Sequence, residues 1–179
     1  MSRIKTDEEI VKLVSLGNSE LYGVVMERYQ EAMFRYVRRV INQVDEEVED
    51  LVQEVFIKGY ENIQSFDGTK KFSSWLYRIA HNLCIDYFRK KRPTTSLIDD
   101  AEELLESGEK LVEEMAIEKE RKESLMRAVE KLELKYKEVV LLYYFEEKSY
   151  DEISDILRIN TSNVGVLLLR AREKLKKIL

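Results

Sequence analysis

Residues 149–175 read SYDEISDILRINTSNVGVLLLRAREKL, and the order of residue types along them decides the fold. Ser149, with Glu152 three places on, forms a capping box, in which each side chain answers a backbone N–H at the start of a helix. Ile153, Ile156 and Leu157 follow at helical spacing. Arg158-Ile159-Asn160 leaves room only for a tight turn. Thr161 or Ser162 can cap a second helix that carries Val164 and Leu168 inward and ends in Arg170, Arg172, Lys174, Lys176 and Lys177. A short helix, a tight turn and a basic second helix is the helix-turn-helix plan, in which the second helix enters the major groove of duplex DNA. A plain helical hairpin with a solvated basic end has the same pattern, so the rest of the chain must decide.

Upstream, Val129, Leu132, Val139, Val140, Leu142 and Tyr143 predict two more helices broken near Leu134-Lys135, with Glu146-Glu147-Lys148 as a turn. Before these lies TTSLIDDAEELLESGEKLVEEMAIEKER, residues 94–121. Ten Asp/Glu against three Lys/Arg fall in residues 95–121, so the chain's acidity is concentrated in one segment without clear periodicity. It reads as an acidic, flexible linker with some helix near its end. The flanking halves are neutral or slightly basic, and the pI of about 5.2 therefore does not argue against a nucleic-acid partner.

N-terminal to the linker, residues 75–92 read WLYRIAHNLCIDYFRKKR. Trp75, Tyr77, Tyr87 and Phe88 are interleaved with Arg78, Arg89, Lys90, Lys91 and Arg92. Bases stack on aromatic faces and phosphates pair with Lys and Arg, so the run suits exposed, single-stranded bases. Leu76, Ile79, Ala80, Leu83 and Tyr87 also make a core stripe, so some of these aromatics are expected inside. Pro93 stops the helix. Three helices precede it. Thr6 or Asp7 caps the first, which Gly17 ends; the second carries Leu21, Tyr22, Val25, Met26, Tyr29, Met33, Val37, Val40 and Ile41 on one face; the third runs from about Asp45 to Ile63. A loop, Gln64 to Thr69, separates the third from the basic aromatic helix.

Composition narrows the function further. One Pro and six Gly in 179 residues fit long helices, and the fold class is all-α. The single cysteine, Cys84, excludes a disulfide framework, and the absence of a long apolar run or signal-peptide pattern predicts a cytoplasmic protein without membrane insertion. Glu46, Glu47, Glu49, Asp50 and Glu54 share helix faces, but no Glu-x-x-His motif accompanies them, and a docking face for a basic partner explains them better than a metal site. No phosphate-binding glycine loop, nucleophile elbow or zinc pattern occurs. No enzyme activity, metal, cofactor or small-molecule substrate is expected.

The order of these elements carries a resemblance. DLVQEVF (50–56), then a loop with Phe66, then FSSWLYRIAHNLCIDYFRKKRP (72–93), an acidic tether and the 149–175 unit closely resemble the extracytoplasmic-function class of bacterial RNA polymerase sigma factors. The resemblance implies two small helical domains: sigma region two over residues 1–93 and a helix-turn-helix region four over 122–179, joined by the linker at 94–121. It implies that Asp50, Leu51, Gln53, Glu54 and Phe56 dock on the β′ clamp coiled coil of core RNA polymerase, with further contact to the β subunit. Lys58, Asn62, Ser65, Phe66, Trp75 and Asn82 are similar to residues that meet the opened minus-ten strand of promoter DNA, where one base is flipped into a pocket. Arg78, Arg89, Lys90, Lys91 and Arg92 would then hold the backbone. Ser162, Asn163, Gly165, Leu169, Arg170, Arg172 and Lys174 would face the minus-thirty-five duplex, and a cognate anti-sigma factor is expected to cover both domains until a signal releases it.

Two departures matter. Arg158 stands where relatives usually have Gly in the turn. Gly165, Val166 and Leu167 stand where relatives carry basic residues and a hydroxyl, which predicts a changed preference at the minus-thirty-five element. Two rival readings remain at this level. A stand-alone helix-turn-helix regulator accounts for residues 122–179 but not for DLVQEVF or the Trp75 segment. A sigma paralogue that only sequesters a partner accounts for the loss of basic residues from the recognition helix.

Overall fold

The computed structural model describes residues 5–91 and 123–179, and within them the chain is all-helical. Four helices, α1 (Asp7–Ser15), α2 (Tyr22–Ile41), α3 (Asp45–Glu61) and α4 (Phe72–Lys91), make the first bundle. Helical residues 123–130 (α5), then α6 (Leu134–Val140), α7 (Tyr150–Leu157) and α8 (Thr161–Ile178), make the second. The acidic tether, Pro93 and Arg92 lie outside the described residues.

Thr6, not Asp7, caps α1: its hydroxyl accepts the Glu9 N–H at 3.2 Å while the Glu9 carboxylate accepts the Thr6 N–H at 2.9 Å. Asp7 is used instead to tie α1 to α2, accepting from Arg28 at 2.6 Å and from the Tyr29 hydroxyl at 2.5 Å. Burial and that carboxylate push the Tyr29 hydroxyl well above its ordinary pKa. Gly17 reverses the chain at φ 107°, and a 3-10 turn at Ser19–Leu21 leads into α2. Val25, Met33, Val37 and Val40 of α2 pack on Val48 and Val55 of α3 and on Phe72, Leu76 and Ala80 of α4. Met26 departs from the predicted stripe and points to solvent. The Tyr22 side chain of α2 reaches α3 at Gly59, where a Cβ would fall 2.6 Å from its hydroxyl oxygen. That hydroxyl donates to the Phe56 carbonyl at 2.8 Å, so a glycine here keeps the two helices in register.

In the second bundle α6 widens into a π turn at Leu141–Phe145, and the turn ends in Glu146. The Ser149–Glu152 capping box forms as the sequence predicts. Arg158 is the left-handed C-cap of α7, at φ 53° and ψ 46°, which costs a non-glycine residue about 1–2 kcal/mol. Ile153, Ile156, Val164 and Leu168 are fully buried, each contributing about 1.5–3 kcal/mol, so the core outweighs the strained turn. The cap of α8 is Asn160 rather than Thr161 or Ser162, and its side chain makes no cap bond. Finally, α4 packs along α7 and α2 touches α6, so the two bundles share a boundary.

Candidate nucleic-acid interface

The loop between α3 and α4 is held by its own polar groups. Asp67 Oδ1 accepts from the Thr69 N–H at 3.0 Å and from the Thr69 hydroxyl at 2.8 Å, which keeps its carboxyl below the usual carboxylate range. Ser65 Oγ donates to the Asn62 carbonyl at 2.7 Å, and the Asn62 amide donates back to Lys58 O at 2.8 Å. Phe66 anchors the loop from within. Its ring meets Phe72 edge-on at 5.5 Å and Trp75 at 5.7 Å.

This arrangement brings six of the sequence-predicted strand-contacting residues together. Lys58, Asn62, Ser65, Trp75, Arg78 and Asn82 line one cleft of about 330 Å³, contributed by α3, the loop and α4. Ser65, Phe66, Trp75 and Arg78 also line a smaller neighbouring cleft of about 140 Å³ with Lys70, Lys71 and Ser74. Ser74 Oγ is buried and has no hydrogen-bond partner among the described residues. Trp75 is itself only 7 % exposed: it stands in the wall of both clefts, its ring packed on Phe66 and Phe72. Tyr77 is buried too, and Tyr87 and Phe88 are half-buried, so the aromatic helix presents much less π-surface than its sequence suggests. Arg89 and Lys90 are exposed at the far end of α4, where Arg89 pairs with Asp86.

The acidic face of α3 divides by side. Asp50 and Gln53 are exposed and Glu54 is half-buried beside Lys58, its ion-pair partner at 3.0 Å. Leu51 and Phe56 point into the bundle core, because a face on a helix recurs every three to four residues and theirs is the inner one. Glu47 accepts from Tyr87 at 2.6 Å and from Lys91 at 2.9 Å, and these two hold its carboxyl below the ordinary range while tying α3 to the end of α4. An open cleft of about 600 Å³ runs beside this face, between Phe34 and Arg35 of α2 and Val52 and Gln53 of α3.

On α8, Ser162, Asn163, Leu169, Arg170 and Arg172 are exposed, and Gly165 lies half-buried beside Tyr150. Arg172 Nε donates to the Tyr144 hydroxyl at 2.6 Å and Lys174 pairs with Glu133 at 2.9 Å. Val166 at 45 % and Leu169 at 58 % exposure give the helix an apolar outer face.

Residues 25–94 match sigma-70 region 2, and residues 122–175 match sigma-70 region 4. The ECF RNA polymerase sigma factor SigW of Bacillus subtilis is 36 % identical over 178 residues, covering 93 % of each chain. This chain belongs to the ECF RNA polymerase sigma factors. The fold agrees: CnrH, solved in complex with the cytosolic domain of CnrY, superimposes with a TM-score of 0.71 at 23 % identity over 96 % of both chains. The sigma factor RpoE of Bartonella quintana, solved with the anti-sigma factor NepR, gives a TM-score of 0.67 at 16 % identity, covering 88 % of this chain and 95 % of that one.

The sigma factor also carries polar residues at the boundary of its two regions that the sequence reading passed over. Glu138 was not singled out and Glu146 was read only as part of a turn, yet their side chains are 4 % and 3 % exposed. His81 pairs through Nδ1 with Glu138 at 2.5 Å, a structural role. The one available signal was that Glu138 abuts the apolar run Val139–Leu142, where a charged side chain has no cheap place in the core.

Proposed function

We propose that this sigma factor binds core RNA polymerase through the α2–α3 face, captures the opened minus-ten strand in the clefts around Trp75, and reads the minus-thirty-five duplex with α8. Residues 1–93 act as region two, 94–121 as the linker and 122–179 as region four. The observation that carries the reading is the convergence of Lys58, Asn62, Ser65, Trp75, Arg78 and Asn82, separated by up to 24 positions in sequence, on one cleft. Capturing an extruded base offsets the few kcal/mol needed to unstack it, and cations at the rim neutralise the backbone. The unpartnered Ser74 hydroxyl supports the smaller cleft as the place where a base edge hydrogen-bonds. Asp50 and Gln53 form the docking contacts, with the apolar cleft beside them receiving the partner's side chains; Leu51 and Phe56 support that face from behind.

Region four meets DNA with Ser162, Asn163, Arg170 and Arg172, and Val166 and Leu169 make apolar contact with sugars and thymine methyl groups. An anti-sigma factor restrains the protein in the cytoplasm, as the NepR complex of a related fold suggests. The test is transcription in vitro with core bacterial RNA polymerase on fragmented genomic DNA, with and without the protein. New start sites sharing upstream sequence support the reading. Core binding without start sites turns it toward a sequestering paralogue, and no core binding leaves a duplex regulator.

A further inference from the structure

The π turn that follows α6 sets a row of aromatic side chains beside α8. Its defining bond runs from the Glu146 N–H to the Leu141 carbonyl, five residues back, at 3.0 Å. The wider turn keeps Leu141 and Leu142 buried and leaves Tyr144 turned outward at 47 % exposure. Single π turns recur at functional sites, and this one re-aims a tyrosine. Tyr143 meets Tyr144 edge-on at 4.8 Å and Tyr150 at 5.4 Å, and Tyr150 in turn lies against Gly165. Gly165 and Arg172 are about two helical turns apart, so they share one face of α8 and the row flanks it.

At the far end of the row Arg172 Nε donates to the Tyr144 hydroxyl oxygen at 2.6 Å, and the guanidinium stands 5.6 Å from the centre of the Tyr144 ring. Other cations of the molecule are engaged by acids: Lys174 by Glu133 at 2.9 Å, Arg39 by Glu146 at 3.0 Å and Arg38 by Asp45 at 3.2 Å. Arg172 has no carboxylate partner among the described residues, so a neutral oxygen fixes its direction while its charge stays uncompensated. With Nε engaged, its two terminal nitrogens remain as a planar fork of the kind that matches a phosphate. The Tyr144 oxygen accepts the arginine bond and the hydroxyl keeps its own proton for a further acceptor. A charged and a neutral donor thus stand together at an exposed edge of region four.

Distance along α8 says which part of DNA they would meet. A helix rises about 1.5 Å per residue, so Arg172 lies roughly 14 Å beyond Asn163 in the first turn of α8. The major groove is about 12 Å wide. When the first turn of α8 sits at base edges, Arg172 has passed the groove floor and stands at its phosphate rim.

We propose that Tyr144 and Arg172 form one phosphate-binding site at the edge of region four, in which Tyr144 orients the guanidinium and donates its own hydroxyl proton to the same phosphodiester of duplex DNA. The inference rests on the function proposed above, which sets α8 in the major groove.

The test is a double-mutant cycle on the full-length chain. The probe is a fluorescent duplex of random sequence, about 30 base pairs long, because a backbone contact is indifferent to sequence. Binding is followed from about 50 to 200 mM salt. Tyr144→Phe removes the hydroxyl and keeps the ring against Tyr143, and Arg172→Ala removes the guanidinium. Each is expected to weaken binding about fivefold and to make the slope of log affinity against log salt shallower by up to about 0.9, the value of one phosphate. The double variant is expected to lose no more than either single variant. A Tyr144→Phe protein that matches the parent in affinity and slope overturns the proposal, as do single losses that multiply in the double variant. A tyrosine with a merely structural role would lower the thermal midpoint and leave the salt slope of the folded protein unchanged, and that result overturns it as well. So does a parent chain without salt-dependent duplex binding. No polymerase enters the measurement, so a chain that fails to bind core sinks the assigned function while leaving the phosphate site to be decided on its own.

Discussion

The cleft around Trp75 and the outer face of α8 are both assigned to DNA, and they are built in opposite ways. The cleft draws its walls from α3, the loop and α4, with Arg158 added from the second bundle, and its central aromatic doubles as core. The α8 face lies on one helix, and its outward side chains, Val166 and Leu169, leave the fold almost untouched. A surface of the first kind cannot be altered without disturbing the bundle beneath it. A surface of the second kind can be rewritten one residue at a time; Val166 and Leu169 stand on it, while Gly165 and Leu167 are half-buried.

The largest expected effect tests the first half of that contrast. Trp75→Ala empties the centre of the Phe66–Phe72–Trp75 cluster and should destabilise region two by about 3–5 kcal/mol in urea unfolding. A loss below about 1 kcal/mol would show that the ring serves the strand alone and would erase the distinction. Asp50→Lys comes next, since it reverses an exposed charge on the docking face without touching the core. Core polymerase affinity should fall about tenfold at moderate salt and recover as salt weakens the repulsion. Unchanged affinity removes Asp50 from the docking face.

Arg158→Gly sharpens the comparison from within region four. It relieves a left-handed residue and should raise stability by about 0.5–1 kcal/mol after glycine's own entropy is set against the gain. A lower thermal midpoint would mean that Arg158 contributes more through its cleft contacts than its backbone costs. The smallest effect concerns base reading. Replacing minus-thirty-five thymines by deoxyuracil should lower transcription about threefold with the parent protein, near the value of one buried methyl. The Leu169→Ala variant should be indifferent to the change. Equal sensitivity in both proteins would place Leu169 away from the thymine methyls.

The sequence made the elements legible wherever the signal was local. Ser149 with Glu152 marked the start of α7 because both halves of the capping box lie within one turn, and the apolar spacing of Ile153, Ile156, Val164 and Leu168 located the small core around the turn. The cap of α8 was misread because Asn160, Thr161 and Ser162 are all capping residues in a row, and only backbone geometry separates them. Asp50, Leu51, Gln53, Glu54 and Phe56 were read together as docking residues, although Leu51 and Phe56 lie on the inner face of α3 with Val52 and Val55, and Asp50 and Gln53 look out. The boundary contacts were not legible at all. Tyr36 and Glu138 are 102 positions apart, Arg39 and Glu146 are 107 apart, and no periodicity couples charges across such spans.

That separation along the chain gives closure an order in time. Arg39, Tyr77 and His81 leave the ribosome well before Glu138, Glu146 and Asp155 exist, and at about 5–20 residues per second the stretch from residue 92 to residue 158 takes roughly 3–13 s to make. A nascent region two therefore spends that interval with Tyr36, Arg39, Tyr77 and His81 lacking the carboxylates that they meet in the complete fold.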